Sequence, residues 1–231
     1  MSLLSAELDT KVARVRKQLQ QAFAEAPGRD DVCLTCSFQA EDVLLLKLAL
    51  DLRPELPTLF LDTGYHFAAT YEYRDRIARE WSVRLINLLP LTTVAEQEAQ
   101  HGLLYQSSPD RCCGARKVEP LFRAVAKHKV WITGLRREQA KTRAALEESA
   151  LFTLPDGKQV LKLSPLAQFT TADLWHACEA LGIPLLPLYA RGYSSIGCEP
   201  CTSLPLDPGD ARSGRWAGRK VECGIHIEAA K

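Results

Sequence analysis

Residues 32–50 read VCLTCSFQAEDVLLLKLAL, a short apolar run followed by a polar turn and a longer leucine-rich run. Val32 to Phe38 has the length and composition of a buried strand. The run from about Ala40 to Leu52 has the length of a helix and stops before Pro54, which cannot continue it. This stretch therefore predicts a strand, a polar turn and a helix.

The same alternation continues on both sides of this unit. A helix with apolar residues at helical spacing is predicted from Leu8 to Phe23. Further strands are predicted at Pro57–Leu61, Val83–Leu88, Val130–Thr133 and Gln159–Leu163, and further helices at Phe67–Trp81, Val94–His101, Arg111–Lys127 and Thr171–Leu181. Alternating strands and helices predict an α/β fold, a mostly parallel sheet with helices on both faces.

Ligands of such sheets bind beyond the carboxyl ends of the strands. Three predicted strands end at polar loops, namely Ser37, Asp62-Thr63-Gly64 and Gly134-Leu135-Arg136. We expect these loops to converge on one crevice.

The composition indicates an ordinary globular protein. The 231 residues are 46% hydrophobic and 25% charged, enough for one sizeable domain spanning residues 1–231. No apolar stretch is long enough to span a membrane, and the acidic residues near the start argue against a secretory signal, so we expect a cytoplasmic protein. After about Pro184, glycine and proline interrupt the pattern, and residues from about 205 to 231 are predicted to form a mobile C-terminal segment.

Positive charge is concentrated locally although the net charge is only +1. Residues 111–143 contain ten Lys or Arg against two acids, and residues 212–220 contain four more and no acid. Such runs indicate either solvated helix faces, as for Arg123, Lys127 and Lys129, or a site for a compact anion. The small net charge argues against a nucleic-acid-binding surface.

Eight cysteines in a reducing compartment indicate metal binding or thiol chemistry rather than disulfides. Cys112 and Cys113 are adjacent, and Cys198 and Cys201 form a Cys-x-x-Cys pair. Four thiolates suit zinc or an iron–sulfur cluster, and adjacent cysteines suit two irons of a cubane better than one tetrahedral zinc. The alternative is that Cys112 and Cys113 are buried apolar residues.

Cys33 and Cys36 also have the Cys-x-x-Cys spacing. They fall inside the first predicted strand, where residues three apart point to opposite faces, so buried core thiols are expected rather than a redox pair. Cys178, within the last predicted helix, receives the same interpretation.

Cys223 lies in RKVECGIH, residues 219–226. Neighbouring cations favour the thiolate, which is the nucleophilic form, and Gly224 allows close approach of the backbone to a substrate. The other interpretation is an unreactive cysteine in an irregular tail.

These residues together resemble the assimilatory adenylyl-sulfate reductases of the PAPS/APS reductase family. The resemblance runs from about Ser37 to His226. It rests on five motifs: Cys112-Cys113-Gly114 with Lys117, Cys198-x-x-Cys201, residues 134–139 (GLRREQ), residues 61–67 (LDTGYHF) and residues 222–226 (ECGIH).

The resemblance implies a fold like that of the PP-loop adenine-nucleotide hydrolases. It implies a [4Fe–4S] cluster on Cys112, Cys113, Cys198 and Cys201, with Cys223 as the nucleophile. Ser37 and the Asp62-Thr63-Gly64 turn would hold the nucleotide, His226 would lie near the nucleophile, and the phosphosulfate would be bound by Lys117, Arg136, Arg212 and Arg215.

The implied reaction is reduction of adenylyl sulfate to sulfite and AMP through an S-sulfocysteine, with thioredoxin or a similar dithiol protein as reductant. Neither nucleic acid nor membrane is expected as a partner, and the sequence leaves a homo-oligomer open. Ser37 to Asp42 (SFQAED) lacks the glycines of the ATP-type Ser-Gly-Gly-x-Asp-Ser run, which argues against ATP hydrolysis.

Three alternatives stay open. A phosphoadenylyl-sulfate reductase is similar around Cys223 but generally lacks the cluster cysteines. A PP-loop tRNA thiolase with an iron–sulfur cluster would need the ATP-type run and a broader basic surface. A zinc or cluster sensor would use the cysteines for metal binding alone.

Overall fold

The structure, a computed structural model, describes residues 5–207, 209–220 and 222–225. His226, predicted to lie near the nucleophile, falls outside the described residues. The described strands are β1 (Val32–Thr35), β2 (Thr58–Leu61), β3 (Leu85–Leu88), β4 (Val130–Ile132), β5 (Ser149–Thr153) and β6 (Gln159–Leu163). They form one sheet in the order β3-β2-β1-β4-β6-β5, parallel except for the antiparallel edge strand β5.

The α-helices connect the strands and cover the sheet. They are α1 (Ala6–Glu25), α2 (Ala40–Leu50), α3 (Ala68–Glu80), α4 (Val94–His101), α5 (Leu104–Ser107), α6 (Pro109–Cys113), α7 (Glu119–Val125) and α8 (Thr171–Ala180). A π-helical turn, Gly114–Val118, joins α6 to α7. Short 3₁₀ turns lie at Arg137–Gln139, Lys141–Arg143, Tyr189–Arg191, Glu199–Cys201 and Trp216–Gly218.

Two apolar clusters lie on opposite faces of the sheet. Leu34 and Phe60 contribute to the cluster that includes α1, α2, α3 and α8. Their neighbours in sequence, Cys33 and Leu59, contribute to the cluster that includes α7. This alternation follows from the two-residue period of a strand and confirms that helices cover both faces of the sheet.

The structure corrects three details of the sequence prediction. The first strand ends at Thr35 rather than Phe38, because Phe38 has a φ of 59° and cannot continue an extended strand. The third strand begins at Leu85 rather than Val83. Strand β5, Ser149–Thr153, was not predicted.

Within the described residues, no helix combines the length and apolar character needed to cross a membrane.

Candidate active site

The strand order reverses between β1 and β4, and a crevice opens beyond their carboxyl ends. The loop after β1 runs to β2 on one side of this point, and the loop after β4 runs to the other side, where β6 and β5 lie. The two loops therefore diverge and leave space between them. Ser37, Gly134, Leu135 and Arg136 line this crevice, as two of the three predicted loops require.

The Ser37 loop is held by the half-buried carboxylate of Asp42 at the start of α2. Asp42 Oδ2 accepts hydrogen bonds from the Ser37 amide (2.7 Å) and the Ser37 hydroxyl (2.5 Å). Burial raises the pKa of Asp42 to about 6, although the hydrogen bonds from Ser37 and Gly134 oppose the rise. Phe38, which stands where an ATP-type loop has its first glycine, takes the left-handed backbone conformation and buries its ring.

The Asp62-Thr63-Gly64 turn lies beside the cysteines and is not among the residues that line the crevice. The Thr63 hydroxyl is 3.3 Å from Cys198 Sγ, and Asp62 accepts hydrogen bonds from Tyr71 (2.7 Å) and the Gly64 amide. Gly64 has a φ of 73°, which favours glycine. The apolar end of β2, through Leu61, lines the crevice next to this turn, and the role of the turn in nucleotide binding stays a prediction.

The four predicted cluster cysteines line one small cavity next to the crevice, together with Lys117 and Trp216. None of the four is in a disulfide. Burial, followed by the proximity of the other three cysteines, raises the pKa of Cys112 to about 11. Among the residues that the structure describes, no three His, Cys, Asp or Glu side chains are grouped so as to hold a single metal ion.

Two local structures bring these cysteines together. Cys112 and Cys113 end α6, and the π-helical turn that follows turns Lys117 toward both cavities. Cys198 pairs with His66 as an isolated antiparallel bridge, and the Glu199 amide donates a hydrogen bond to the Tyr65 carbonyl (2.7 Å). The irregular C-terminal segment that begins at Cys198, here called the tail, is thus attached to the loop that follows β2.

Lys117 projects between the crevice and the cysteine cavity. Burial alone would lower the pKa of Lys117, but Cys198 and Cys223 outweigh this effect and raise it above the usual value. No acceptor for its ammonium group is found in the described part of the chain. Arg123, Lys127 and Lys129, by contrast, are exposed on the surface, as predicted for a solvated face.

The two predicted tail arginines, Arg212 and Arg215, also line the crevice. Arg215 is buried, contacts the Trp216 ring with its guanidinium 4.5 Å from the ring centroid, and donates to the Cys201 carbonyl (3.4 Å). Burial lowers the pKa of Arg215, and the nearby thiols, Cys198 first, oppose this. Arg212 donates to Glu222 (3.5 Å).

Arg136 differs from the other predicted anion ligands because protein acceptors already surround its guanidinium. It pairs with Glu41 (3.0 Å) and Glu138 (3.4 Å) and donates to the Phe169 carbonyl (3.2 Å). With 4% of its surface exposed, Arg136 holds parts of the crevice wall together through these contacts, and its role as an anion ligand stays a prediction.

Cys223 is half-buried and lines the same crevice. Its sulfur is near enough to Lys117, Arg212 and Arg215 to act on the pKa of each of them. The Cys223 thiol, for which the resemblance implies the role of nucleophile, therefore faces a crevice in which three cations lie close to it.

Sequence reasoning gave no role to His66, although it lines the crevice. Its Nε2 is 2.8 Å from the Leu61 carbonyl oxygen and its ring lies 5.1 Å from that of Phe60. Burial, aided by the charge of Lys117, lowers the pKa of His66 to about 4. The sequence feature that could have identified His66 is its position in the LDTGYHF motif, residues 61–67.

Comparison with known sequences gives one consistent result. A profile of the phosphoadenosine phosphosulfate reductase domain matches residues 31–204. A protein of Geobacillus sp. named adenosine 5'-phosphosulfate reductase is 41% identical over 86% of this chain and 85% of its own length. Proteins of the same name from Mycolicibacterium smegmatis and Streptomyces coelicolor are 43% and 38% identical, over 81% and 95% of this chain and 79% and 95% of their own.

Comparison with solved structures supports the fold. The chain superposes on a phosphoadenylyl-sulfate reductase from Candida auris with a TM-score of 0.69 at 23% identity, covering 87% of this chain and 98% of that one. It superposes on an FMN adenylyltransferase from Candida glabrata with a TM-score of 0.61 at 18% identity, covering 84% and 62%. At these identities the likeness concerns the fold alone, which is the α/β fold predicted from the sequence.

Proposed function

Because the chain belongs to the phosphoadenosine phosphosulfate reductase family, we propose that it is an enzyme that reduces adenosine 5'-phosphosulfate (adenylyl sulfate) to sulfite and AMP. The observation that carries the proposal is the position of Cys223, whose thiol faces the crevice beside Lys117, Arg212 and Arg215. A thiol nucleophile next to three cations suits a substrate that carries both a sulfo group and a phosphate.

In the proposed first step, the Cys223 thiolate attacks the sulfur of the sulfo group. A bond forms between Cys223 Sγ and that sulfur, the bond from sulfur to the bridging oxygen breaks, and AMP leaves with the electron pair. This covalent step divides a difficult reduction into two displacements. Fixed cations such as Lys117 stabilise the charge that develops on the leaving phosphate.

In the proposed second step, an external dithiol protein of the thioredoxin class releases the product. One of its thiolates attacks Cys223 Sγ, and sulfite departs with the electron pair of the sulfur–sulfur bond. The second thiol of the partner then resolves the mixed disulfide, which returns Cys223 as a thiol and leaves the partner oxidised by two electrons.

We also propose that Cys112, Cys113, Cys198 and Cys201 hold a [4Fe–4S] cluster. Support comes from the shared cavity that all four thiols line and from their lack of disulfide partners. Four thiolates are the ligand set of such clusters. When bound, the cluster would supply a fixed charge distribution next to Lys117; the displacement chemistry itself needs only Cys223, the cations and the dithiol.

The decisive experiment is incubation of the anaerobically purified protein with adenylyl sulfate and no dithiol. We expect one AMP per chain, then no further turnover, and a single sulfo adduct on the peptide that contains Cys223. Reduced thioredoxin should remove the adduct and release sulfite. Cys223→Ser should form neither adduct nor sulfite, and an adduct on Cys33 or Cys36 would contradict the mechanism.

The same assay separates the substrate alternatives. A chain that is an adenylyl-sulfate reductase releases sulfite faster from adenylyl sulfate than from its 3'-phosphorylated form. The reverse preference would assign the chain to the phosphoadenylyl-sulfate reductases of the same family.

A further inference from the structure

The carboxylate of Glu222, next to the proposed nucleophile, is bound by four donors. Arg143 approaches it with two parallel contacts, Nε to Oε1 (2.8 Å) and NH2 to Oε2 (2.7 Å). The Thr142 hydroxyl donates to Oε1 (3.0 Å) and Arg212 to Oε2 (3.5 Å). Bidentate arginine–carboxylate pairs of this kind combine strength with a fixed geometry.

This pair is shielded from water. The side chains of Glu222 and Arg143 are each 11% exposed. Burial would raise the pKa of Glu222, but the hydrogen bonds and charge of Arg143 outweigh burial and hold the pKa below its usual value. A buried pair loses more on the removal of one partner than an exposed pair does, because the remaining charge stays desolvated.

The tail is also attached to α5 and α6, where Arg219 donates to the Gln106 carbonyl and Lys220 pairs with Asp110. Asp110 is 87% exposed, so this second attachment is a surface pair and a weak one. Of these two attachments, the strong one is the contact of Glu222 with Arg143.

Arg143 itself is tied to the crevice wall. It donates to Gln139 Oε1 (2.5 Å), and Gln139 Nε2 donates to Glu41 Oε1 (2.9 Å). Both Gln139 and Glu41 line the crevice. The contact that holds the tail is therefore built on the wall of the same crevice that Cys223 faces.

We propose that Glu222 is a positioning residue whose bidentate contact with Arg143 holds Cys223 against the crevice, an inference that rests on the function proposed above. With the contact made, Cys223 faces the crevice in which the nucleotide would bind. With the contact broken, Cys223 is no longer held at that position and becomes more accessible to external thiol reagents. The pair therefore supports the first displacement and is not needed for the second.

The test compares the anaerobically purified wild type with Glu222→Gln, Arg143→Met, the double variant and, as a control, Glu55→Gln. Glu55 pairs with Arg29 at 3.4 Å on the surface, with both side chains more than half exposed. The first readout is the rate at which iodoacetamide alkylates Cys223, followed by mass analysis of the peptide, with no nucleotide present. We expect a rise of about tenfold in each single variant and none in Glu55→Gln.

The second readout is the reaction itself. Single-turnover AMP release should slow about tenfold in Glu222→Gln and Arg143→Met, while sulfite release from the preformed adduct by thioredoxin should keep the wild-type rate or exceed it. The double variant should match the single ones, because both residues act through one contact.

Wild-type alkylation of Cys223 in both single variants would overturn the proposal, as would additive effects in the double variant. The alkylation readout needs no turnover, so it tests the contact even if adenylyl sulfate is not the substrate. Absence of AMP release from the wild type would refute the proposed function and leave the alkylation result to decide the role of Glu222.

Discussion

Asp42 is the residue on which the shape of the crevice beside the Ser37 loop depends. Its side chain is enclosed by the Ser37 loop and by Gly134, and it accepts two hydrogen bonds from Ser37. The sequence predicted Ser37 as a ligand but gave Asp42 no role, because the contact with Gly134 joins residues far apart in the chain. A carboxylate with a raised pKa has a measurable signature in the pH dependence of stability.

We predict that Asp42→Asn removes a pH-dependent component of the unfolding free energy. The pKa of Asp42 is about 6 in the folded protein against 3.8 when exposed, so the native state binds the extra proton between these values. Its contribution to stability is fully present below pH 4 and is lost as pH rises through 6, by about 3 kcal/mol in total. Urea unfolding at several pH values from 4 to 7 would measure this. The fall in unfolding free energy over that range should be larger in the wild type than in the variant by this amount, and the same pH dependence in both proteins would contradict the assignment.

Lys117 is the cation that we expect to contribute most directly to turnover. It projects toward both cavities, and the described residues offer its ammonium group no hydrogen-bond acceptor. A charge-assisted contact with the substrate is worth about 1.5–3 kcal/mol, so Lys117→Ala should lower kcat/KM about ten- to a hundredfold. Lys129→Ala, which removes an exposed partner of Asp31, is the matched control and should keep wild-type kinetics. Equal kcat/KM values for Lys117→Ala and Lys129→Ala would show that Lys117 does not contact the substrate.

At the scale of elements, the sequence predicted best where burial and periodicity agree. The helix predicted at Phe67–Trp81 differs from α3 by one residue at each end, and β6 was predicted with its observed bounds. Strand β5 was missed because it is an edge strand with most of its residues exposed, which leaves little apolar signal. The first strand was predicted too long because the apolar Phe38 is buried in a turn rather than in the sheet.

The loops that follow β1 and β4 fit together only because residue 134 is glycine. A Cβ at that position would lie 2.2 Å from Asp42 Oδ1 and 3.2 Å from the Asp42 amide nitrogen. We therefore predict that Gly134→Ala lowers the free energy of unfolding by about 1–3 kcal/mol and weakens nucleotide binding. Urea unfolding and calorimetric titration with AMP would measure the two effects.

A suitable control is Gly114→Ala in the π-helical turn. Gly114 has a helical backbone, and a Cβ there would meet no atom within 4 Å. The variant should keep or raise the wild-type midpoint, since alanine favours helical backbone over glycine. Equal losses of unfolding free energy in Gly134→Ala and Gly114→Ala would mean that the loss does not come from the close approach of residue 134 to Asp42.

For the molecule as a whole, the sequence predicted the components of the site better than their connections. Cysteine pairs have few other uses, so their places in the sequence are informative by themselves, whereas the cation runs also include the solvated Arg123, Lys127 and Lys129. The contact of Glu222 with Arg143 joins residues 79 positions apart, and no local pattern indicates such a pair. The same holds for the contact of Arg136 with Glu41, 95 positions away: the resemblance implied an anion ligand at Arg136, and no local pattern indicated this partner.

The four-cysteine site links two parts of the molecule that the sheet does not connect. Cys112 and Cys113 belong to the helical connection between β3 and β4, whereas Cys198 and Cys201 begin the tail that carries Arg212, Arg215 and Cys223. The part of the tail around Arg215 folds back onto the Cys201 region, because Arg215 forms a β-bridge with Thr202 and donates to the Cys201 carbonyl. A cluster bound at this site would therefore hold the tail as well as the cysteines.

We predict that Cys201→Ser loses iron and acid-labile sulfide and also loosens the tail. The expected result is cleavage by trypsin after Arg212 or Arg215 at a rate about tenfold or more above that of the wild type, since cleavage follows the population of locally opened chain. Cys178→Ser is the matched control, because Cys178 is 1% exposed within the core and lies outside the four-cysteine site. It should keep about four irons per chain and the wild-type cleavage rate. Loss of iron in Cys201→Ser with an unchanged cleavage rate would show that the cluster does not hold the tail. Stoichiometric zinc without acid-labile sulfide in the wild type would refute the cluster itself.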